Sequence, residues 1–162
     1  MPMFAAQRVV HEFTQINDAA PGKVFPLLCP VRERDWVPQW QYRMIYSESG
    51  IAEQDCVFLT PEEDGSESIW QCTDYQPGAL RIAYGWVRPG LMAAQIRIQL
   101  EARNDGKTNA HLRYAYTALS EAGNAELNRM DRAWFEDKMN FWQAAINHYL
   151  RTGTCISAPG WE

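Results

Sequence analysis

The sequence is 162 residues long, 46% apolar and 22% charged, which suits one compact domain and excludes an extensively disordered chain. Lys and Arg total 15 against 20 Asp and Glu, a net charge of −5, so a nonspecific nucleic-acid binder, which needs clustered positive charge, is excluded. No apolar run is long enough for a helical membrane span, and the opening MPMFAAQRVV lacks the basic and apolar regions of a secretion signal, so a cytoplasmic address is expected.

Gln7 to Ile16 is β-rich and ends in turn chemistry at Asn17-Asp18. Asp18 is placed to cap a short helix over the next residues, which Pro26 and Pro30 keep short. A second short helix or turn covers Val31 to Trp40, interrupted by Pro38. Six strands follow as a meander: Tyr42 to Ser47, Asp55 to Thr60, Ser68 to Tyr75, Leu80 to Val87, Ala94 to Leu100, and Thr108 to Thr117. The cleanest alternation sets Ala94, Ile96, Ile98 and Leu100 against Gln95, Arg97, Gln99 and Glu101. Asn104-Asp105-Gly106 then marks a tight hairpin.

From Asn124 to Arg151 there is no Gly or Pro, and apolar residues recur at helical spacing. Leu127, Met130, Trp134, Phe141, Ala145 and Tyr149 form one stripe; Phe135, Met139, Trp142, Ile146 and Leu150 form a second. This predicts one helix about 40 Å long. Glu126, Arg129, Asp137, Asn140, Gln143 and Asn147 are expected to face water. The tail from Thr152, with Gly153, Pro159 and Gly160, reads as irregular. Strands segregated from a long helix predict an α+β fold in one domain spanning residues 1–162. A sheet with one apolar face needs a cover, and only the last helix is long enough to supply it.

Val24-Phe25-Pro26-Leu27-Leu28-Cys29-Pro30, Glu33-Arg34-Asp35-Trp36 with Trp40, and Tyr46-Ser47-Glu48-Ser49-Gly50 followed by Cys56-Val57-Phe58 carry a resemblance. So do Pro89-Gly90 and Thr117 to Gly123. With the element order, the sequence resembles the START-like or Bet v 1-like (SRPBCC) superfamily over residues 7–150, and in particular bacterial polyketide cyclase/dehydrase-like members of unassigned activity. It departs from that pattern at Gln39, where Gly is expected before the second Trp. The resemblance implies a helix-grip fold: a curved antiparallel sheet of about seven strands wrapped around a long C-terminal helix, with two short helices after the first strand. Between sheet and helix it implies a deep, mostly apolar cavity opening near the short helices and loop tips. A fold hosts many functions, so the resemblance specifies architecture far more than activity.

Seven Trp, seven Tyr and six Phe make the chain 12% aromatic, more ring surface than a simple core needs. The candidate ligand wall is Phe58, Trp70, Tyr84, Trp86, Tyr114, Tyr116, Trp134 and Trp142. Strand parity places Tyr84 with Trp86 and Tyr114 with Tyr116. The alternative is that these rings pack only on one another. Trp36 and Trp40, flanking Pro38, are candidates for the cavity entrance or for seats of the short helices. Arg32-Glu33-Arg34-Asp35 alternates in sign and reads as a solvated run, with a polar ligand rim as the weaker reading.

His11, between Val9 and Phe13 at strand spacing, is either a structural histidine or a lone general base, and its strand face is open. His111 is expected to face solvent, and His148 lies near a helix end. Arg81, Arg97 and Arg113 fall at the polar parity of their strands. Cys29, Cys56 and Cys72 read as buried thiols and Cys155 as exposed; no CxxC pair or metal-ligand spacing occurs. Nucleophile-elbow, phosphate-loop and zinc-protease motifs are absent, so no catalytic residue, metal or cofactor is assigned.

The expected function is noncatalytic binding of a small hydrophobic or aromatic molecule, lipid-like or polyketide-like. Alternatives are a polyketide cyclase/dehydratase-like enzyme, with His11, a tyrosine or an arginine moving protons, and a cochaperone-like interaction module. No nucleic-acid partner is expected, and the oligomeric state, homodimer included, stays open.

Overall fold

The computed structural model describes residues 3–157, so Pro159 and Gly160 of the irregular tail lie outside the described residues. The order is β1 (Arg8–Asn17), α1 (Pro21–Val24), a 3-10 turn (Phe25–Leu28), α2 (Pro30–Trp36), β2 (Arg43–Tyr46), β3 (Val57–Pro61), β4 (Glu67–Gln76), a second 3-10 turn (Pro77–Ala79), β5 (Arg81–Arg88), β6 (Met92–Ala102), β7 (Thr108–Ala118), α3 (Glu121–Arg129) and α4 (Arg132–Thr152). The seven strands form one curved antiparallel sheet in the order β1-β7-β6-β5-β4-β3-β2, so the first strand closes against the last. This is the predicted α+β helix-grip architecture.

Prolines punctuate the connector as the sequence implies. Pro21 opens α1 and Pro30 opens α2, positions where a missing N–H costs nothing. Asp18 does not cap α1; Ala20 stands at that position without a side-chain bond. The Asp18 carboxylate is taken by Lys107 at 3.3 Å and Arg151 at 2.7 Å, which tie the end of β1 to β7 and α4. Gln39 has φ of 59°, in the left-handed region, which gives a physical reason for a glycine there.

The single long helix expected from the sequence is two helices. Met130 leaves helical geometry (φ −89°, ψ 58°), and the Asp131 side chain accepts the Trp134 N–H at 2.9 Å to start α4. A capping Asp restarts a helix without Gly or Pro, so the missing breakers concealed the break. His11 Nε2–H donates to the Met130 carbonyl at 2.8 Å, and its ring stacks on Phe135 at 4.8 Å. His11 therefore faces inward and satisfies a carbonyl left over at a helix end.

The helix lies along β1, the sheet's edge. Gln15 donates to the Met139 carbonyl at 3.1 Å, and Gln143 accepts the Ile16 N–H at 2.8 Å. Asn147 accepts from the Asp18 N–H at 2.9 Å and donates to the Ile16 carbonyl at 2.9 Å. Gln143 and Asn147 thus pair with the main chain of β1; Asn147 is buried and does not face water, whereas Gln143 is half-buried with its bond at the exposed edge. At the other helix start, Ser120 caps α3 by accepting the Gly123 N–H at 3.1 Å and donates to the Gly90 carbonyl at 2.7 Å. The close approach requires glycine: a Cβ on Gly123 would stand 1.9 Å from the Leu91 carbonyl oxygen.

Candidate ligand-binding cavity

Strand register builds the inner wall in two rows. Phe58 lies opposite Trp70, Trp70 opposite Trp86, Trp86 opposite Ala94, and Ala94 opposite Tyr116. One row along, Cys72, Tyr84, Ile96, Tyr114 and His11 succeed one another across β4, β5, β6, β7 and β1. Period-two alternation turns both rows to one face, and α4 presents Trp134 and Trp142 across from them.

The result is a cavity of about 360 Å³ lined by all eight candidate rings: Phe58, Trp70, Tyr84, Trp86, Tyr114, Tyr116, Trp134 and Trp142. The rings also touch one another: Phe58 stacks on Trp70 at 5.6 Å, and Tyr114 lies 5.9 Å from Tyr116. Packing and lining are thus two faces of the same side chains. Trp134, 36% exposed, stands where the wall meets solvent.

Of the two entrance candidates, Trp40 borders the cavity, with its indole N–H donating to the Pro30 carbonyl at 2.8 Å. Trp36 does not. It is 2% exposed, bonds the Leu27 carbonyl at 2.8 Å and meets Trp142 edge-on at 5.3 Å, so it anchors α2 behind the wall.

Polar groups reach the same space. The Trp70 indole donates to Thr60 at 2.9 Å, and the Tyr84 hydroxyl donates to the Leu28 carbonyl at 2.8 Å. The Tyr116 hydroxyl is buried without a partner among the described residues. Burial raises the hydroxyl pKa of Tyr84, Tyr114 and Tyr116, so all three stay neutral.

Glu33, Glu62, Arg88, Glu126 and Lys138 of the lining were not selected as site residues from the sequence, and two of them stand out. Glu33, read as part of a solvated run, turns into the cavity from α2, and burial pushes its carboxyl up to about 8. Lys138 reaches in from α4; loss of solvation lowers its ammonium to about 8, against a partial rise from Glu62. The Lys138 ammonium sits 5.3 Å from the Tyr114 ring centre and 5.3 Å from that of Trp134. A sequence signal existed: Trp134, Lys138 and Trp142 recur at four-residue spacing and must share one helix face.

The remaining candidates lie elsewhere. His111 is exposed and pairs with Thr14 at 3.0 Å. Arg81, Arg97 and Arg113 border a mostly hydrophilic groove of about 990 Å³ on the opposite face of the sheet. Arg81 is held there by Asp74 at 2.6 Å and Arg113 by Glu12 at 3.6 Å. That groove is larger than the cavity, but it is open sheet surface and contains none of the aromatic wall. Cys29, Cys56 and Cys72 are buried free thiols and Cys155 is exposed. No helix among the described residues is long and apolar enough to cross a membrane.

No protein-family model matches the chain, and no curated protein matches it in sequence. Solved structures do. A truncated norcoclaurine synthase from Thalictrum flavum superposes with a TM-score of 0.66 at 10% identity, covering 94% of this chain and 98% of its own. The Zhui aromatase/cyclase from Streptomyces gives 0.62 at 13% identity, covering 94% and 100%. Ara h 8.0201 gives 0.63 at 13% identity, covering 90% and 99%. The chain has the Bet v 1-like fold. At these identities the likeness of the Bet v 1-like architecture extends over nearly the whole of each chain and carries no activity with it.

Proposed function

We propose that the chain is a single ligand-binding domain holding a small hydrophobic or aromatic molecule between its sheet and α4, without transforming it. The observation that carries this reading is the volume of about 360 Å³ bordered by nine aromatic side chains, the eight candidate rings and Trp40. Such a volume is within the range of small-molecule sites, and ring walls with few polar groups suit an apolar guest. The buried free thiols support a cytoplasmic address.

The test pairs thermal unfolding against a panel of fatty acids and polyphenols with mass spectrometry of small molecules that copurify. A true ligand stabilises the protein by about 2.7 kcal/mol at a hundredfold excess over Kd. Ala94→Trp, which fills the small position between Trp86 and Tyr116, should abolish the shift. The reading fails when no compound stabilises the protein and none copurifies.

A cyclase/dehydratase-like role is favoured by one observation. Glu33 and Lys138 border the cavity with proton affinities near neutrality, suited to general acid–base work. His11 is committed to the Met130 carbonyl and is removed from that role. Turnover of a copurifying compound, lost in a Glu33→Gln variant that still unfolds cooperatively, would decide for the enzyme.

A further inference from the structure

The charged groups that border the cavity are unequally partnered within the protein. Glu62 accepts a bond from Ser68 and lies 3.9 Å from Arg88, and Glu126 pairs with Arg129. Glu33 makes no side-chain hydrogen bond among the described residues, and burial pushes its carboxyl up to about 8, which favours the acid form at neutral pH. Lys138 is left over. Its ammonium has three donors and no carboxylate or carbonyl partner among the described residues, only the faces of Tyr114 and Trp134. Those faces hold a cation through their quadrupoles but accept no strong hydrogen bond. In the same corner the unpartnered Tyr116 hydroxyl belongs to a ring that packs against both, 5.9 Å from Tyr114 and 6.4 Å from Trp134.

An unpaired cation taken out of water is costly, and an incoming anion relieves that cost. Glu62 only partly offsets the charge: the ammonium is still lowered, which a direct ion pair would have prevented. Two rings flank the ammonium, so an acidic group arriving there suits a molecule whose remaining body is apolar and flat.

Resting on the ligand-binding reading above, we propose that Lys138 anchors the acidic group of the guest, so that the cavity selects ring compounds bearing a carboxylate over neutral ring compounds of the same shape. The aromatic wall holds the body and the ammonium holds the anion. Lys138 is thereby the specificity-determining residue of the site.

The probes are 2-naphthoate and its neutral isostere 2-naphthamide, titrated by calorimetry and by quenching of tryptophan fluorescence. At pH 7 naphthoate should bind at least about tenfold tighter, in line with a charge-assisted bond. Lys138→Met, which keeps an apolar stem, should erase that preference, bringing the naphthoate and naphthamide affinities together. Lys138→Arg, which keeps the charge, should retain most of it and guards against misfolding of the first variant. Naphthoate affinity should fall as pH rises above about 8, where the free ammonium loses its proton. Glu62, Glu33 and the neighbouring tyrosines also face this space. Burial raises the tyrosines out of that range, but Glu33 is held at about 8 as well, so the alkaline limb is read in a Glu33→Gln background, where Lys138 is left to change charge. Equal affinity for the two probes, or a preference that survives in Lys138→Met, overturns the anchor and leaves the cavity reading intact. Failure of both probes to bind also overturns the anchor for flat ring acids, while the cavity reading is decided separately by the ligand panel and the copurifying molecules.

Discussion

Along α4, the residues turned toward β1 and those turned toward the cavity meet opposite surroundings. Gln143 and Asn147 find main-chain partners at 2.8–2.9 Å, and His11 and Gln15 reach back from the strand to carbonyls at Met130 and Met139. On the cavity side, Lys138 of α4 and Glu33 of α2 have no hydrogen-bonded side-chain partner among the described residues. Buried polar groups are ordinarily satisfied, so the two sides separate by purpose. The seam closes a structure, while under the proposed ligand-binding reading the cavity side leaves chemistry open for a guest.

Substitutions can break this contrast, beginning with the tightest contact. Gly123→Ala places a methyl 1.9 Å from the Leu91 oxygen and forces α3 away from the β5–β6 hairpin. A loss of about 3–4 kcal/mol is expected in urea unfolding; a loss below about 1 kcal/mol would show that the start of α3 is soft. In the seam, Asn147→Ala strands the Ile16 carbonyl and the Asp18 N–H and should cost about 2–3 kcal/mol, read by the same titration. Seam and cavity would not differ if that cost were negligible.

On the cavity side the expected signature is pH dependence. Burial raises Glu33 from 4.5 to about 8, so between those values the folded protein keeps a proton that the unfolded chain has released. Stability therefore declines as pH rises through that window. Lys138 is lowered from 10.5 to about 8, so above pH 8 the unfolded chain holds the extra proton and stability recovers. The two slopes meet near pH 8. Glu33→Gln should flatten the acid limb and Lys138→Met the alkaline limb, measured as differences in melting temperature from the parent. Parallel curves for parent and variants would show that neither group is held away from solvent. The smallest effect is at the connector. Gln39→Gly relieves a left-handed backbone of φ 59° and should stabilise by about 0.5–1 kcal/mol without altering ligand affinity.

Much of the wall was legible because strand parity and helical spacing are local properties. Tyr84 with Trp86, Tyr114 with Tyr116, and Trp134 with Trp142 each follow from counting residues, and all six border one space. What could not be counted was partnership across the fold. Gln143 and Asn147 look like solvent residues until β1 is set beside them, and Glu33 looks solvated until α2 is laid over the sheet. Trp36 and Trp40 share a sequence neighbourhood yet diverge, because one indole is drawn behind Trp142 and the other is left at the border. Lys138 was visible in principle. A search for apolar periodicity passes over a charge in an aromatic stripe, although that charge is its most informative position.

Fastening β1 with side-chain amides also bears on self-association. A strand margin with free main-chain groups invites another polypeptide to add on, the usual route to domain swapping and fibrous aggregates. Here Asn124 accepts from the Gln7 N–H at 2.8 Å, Gln143 and Asn147 occupy Ile16 and Asp18, and Arg132 donates to the Glu12 carbonyl. The opposite margin is β2, four residues long with a register slip between Met44 and Tyr46, which makes it a poor template. A greasy-walled molecule of this kind can thus stay hollow inside while giving its neighbours little to polymerise upon.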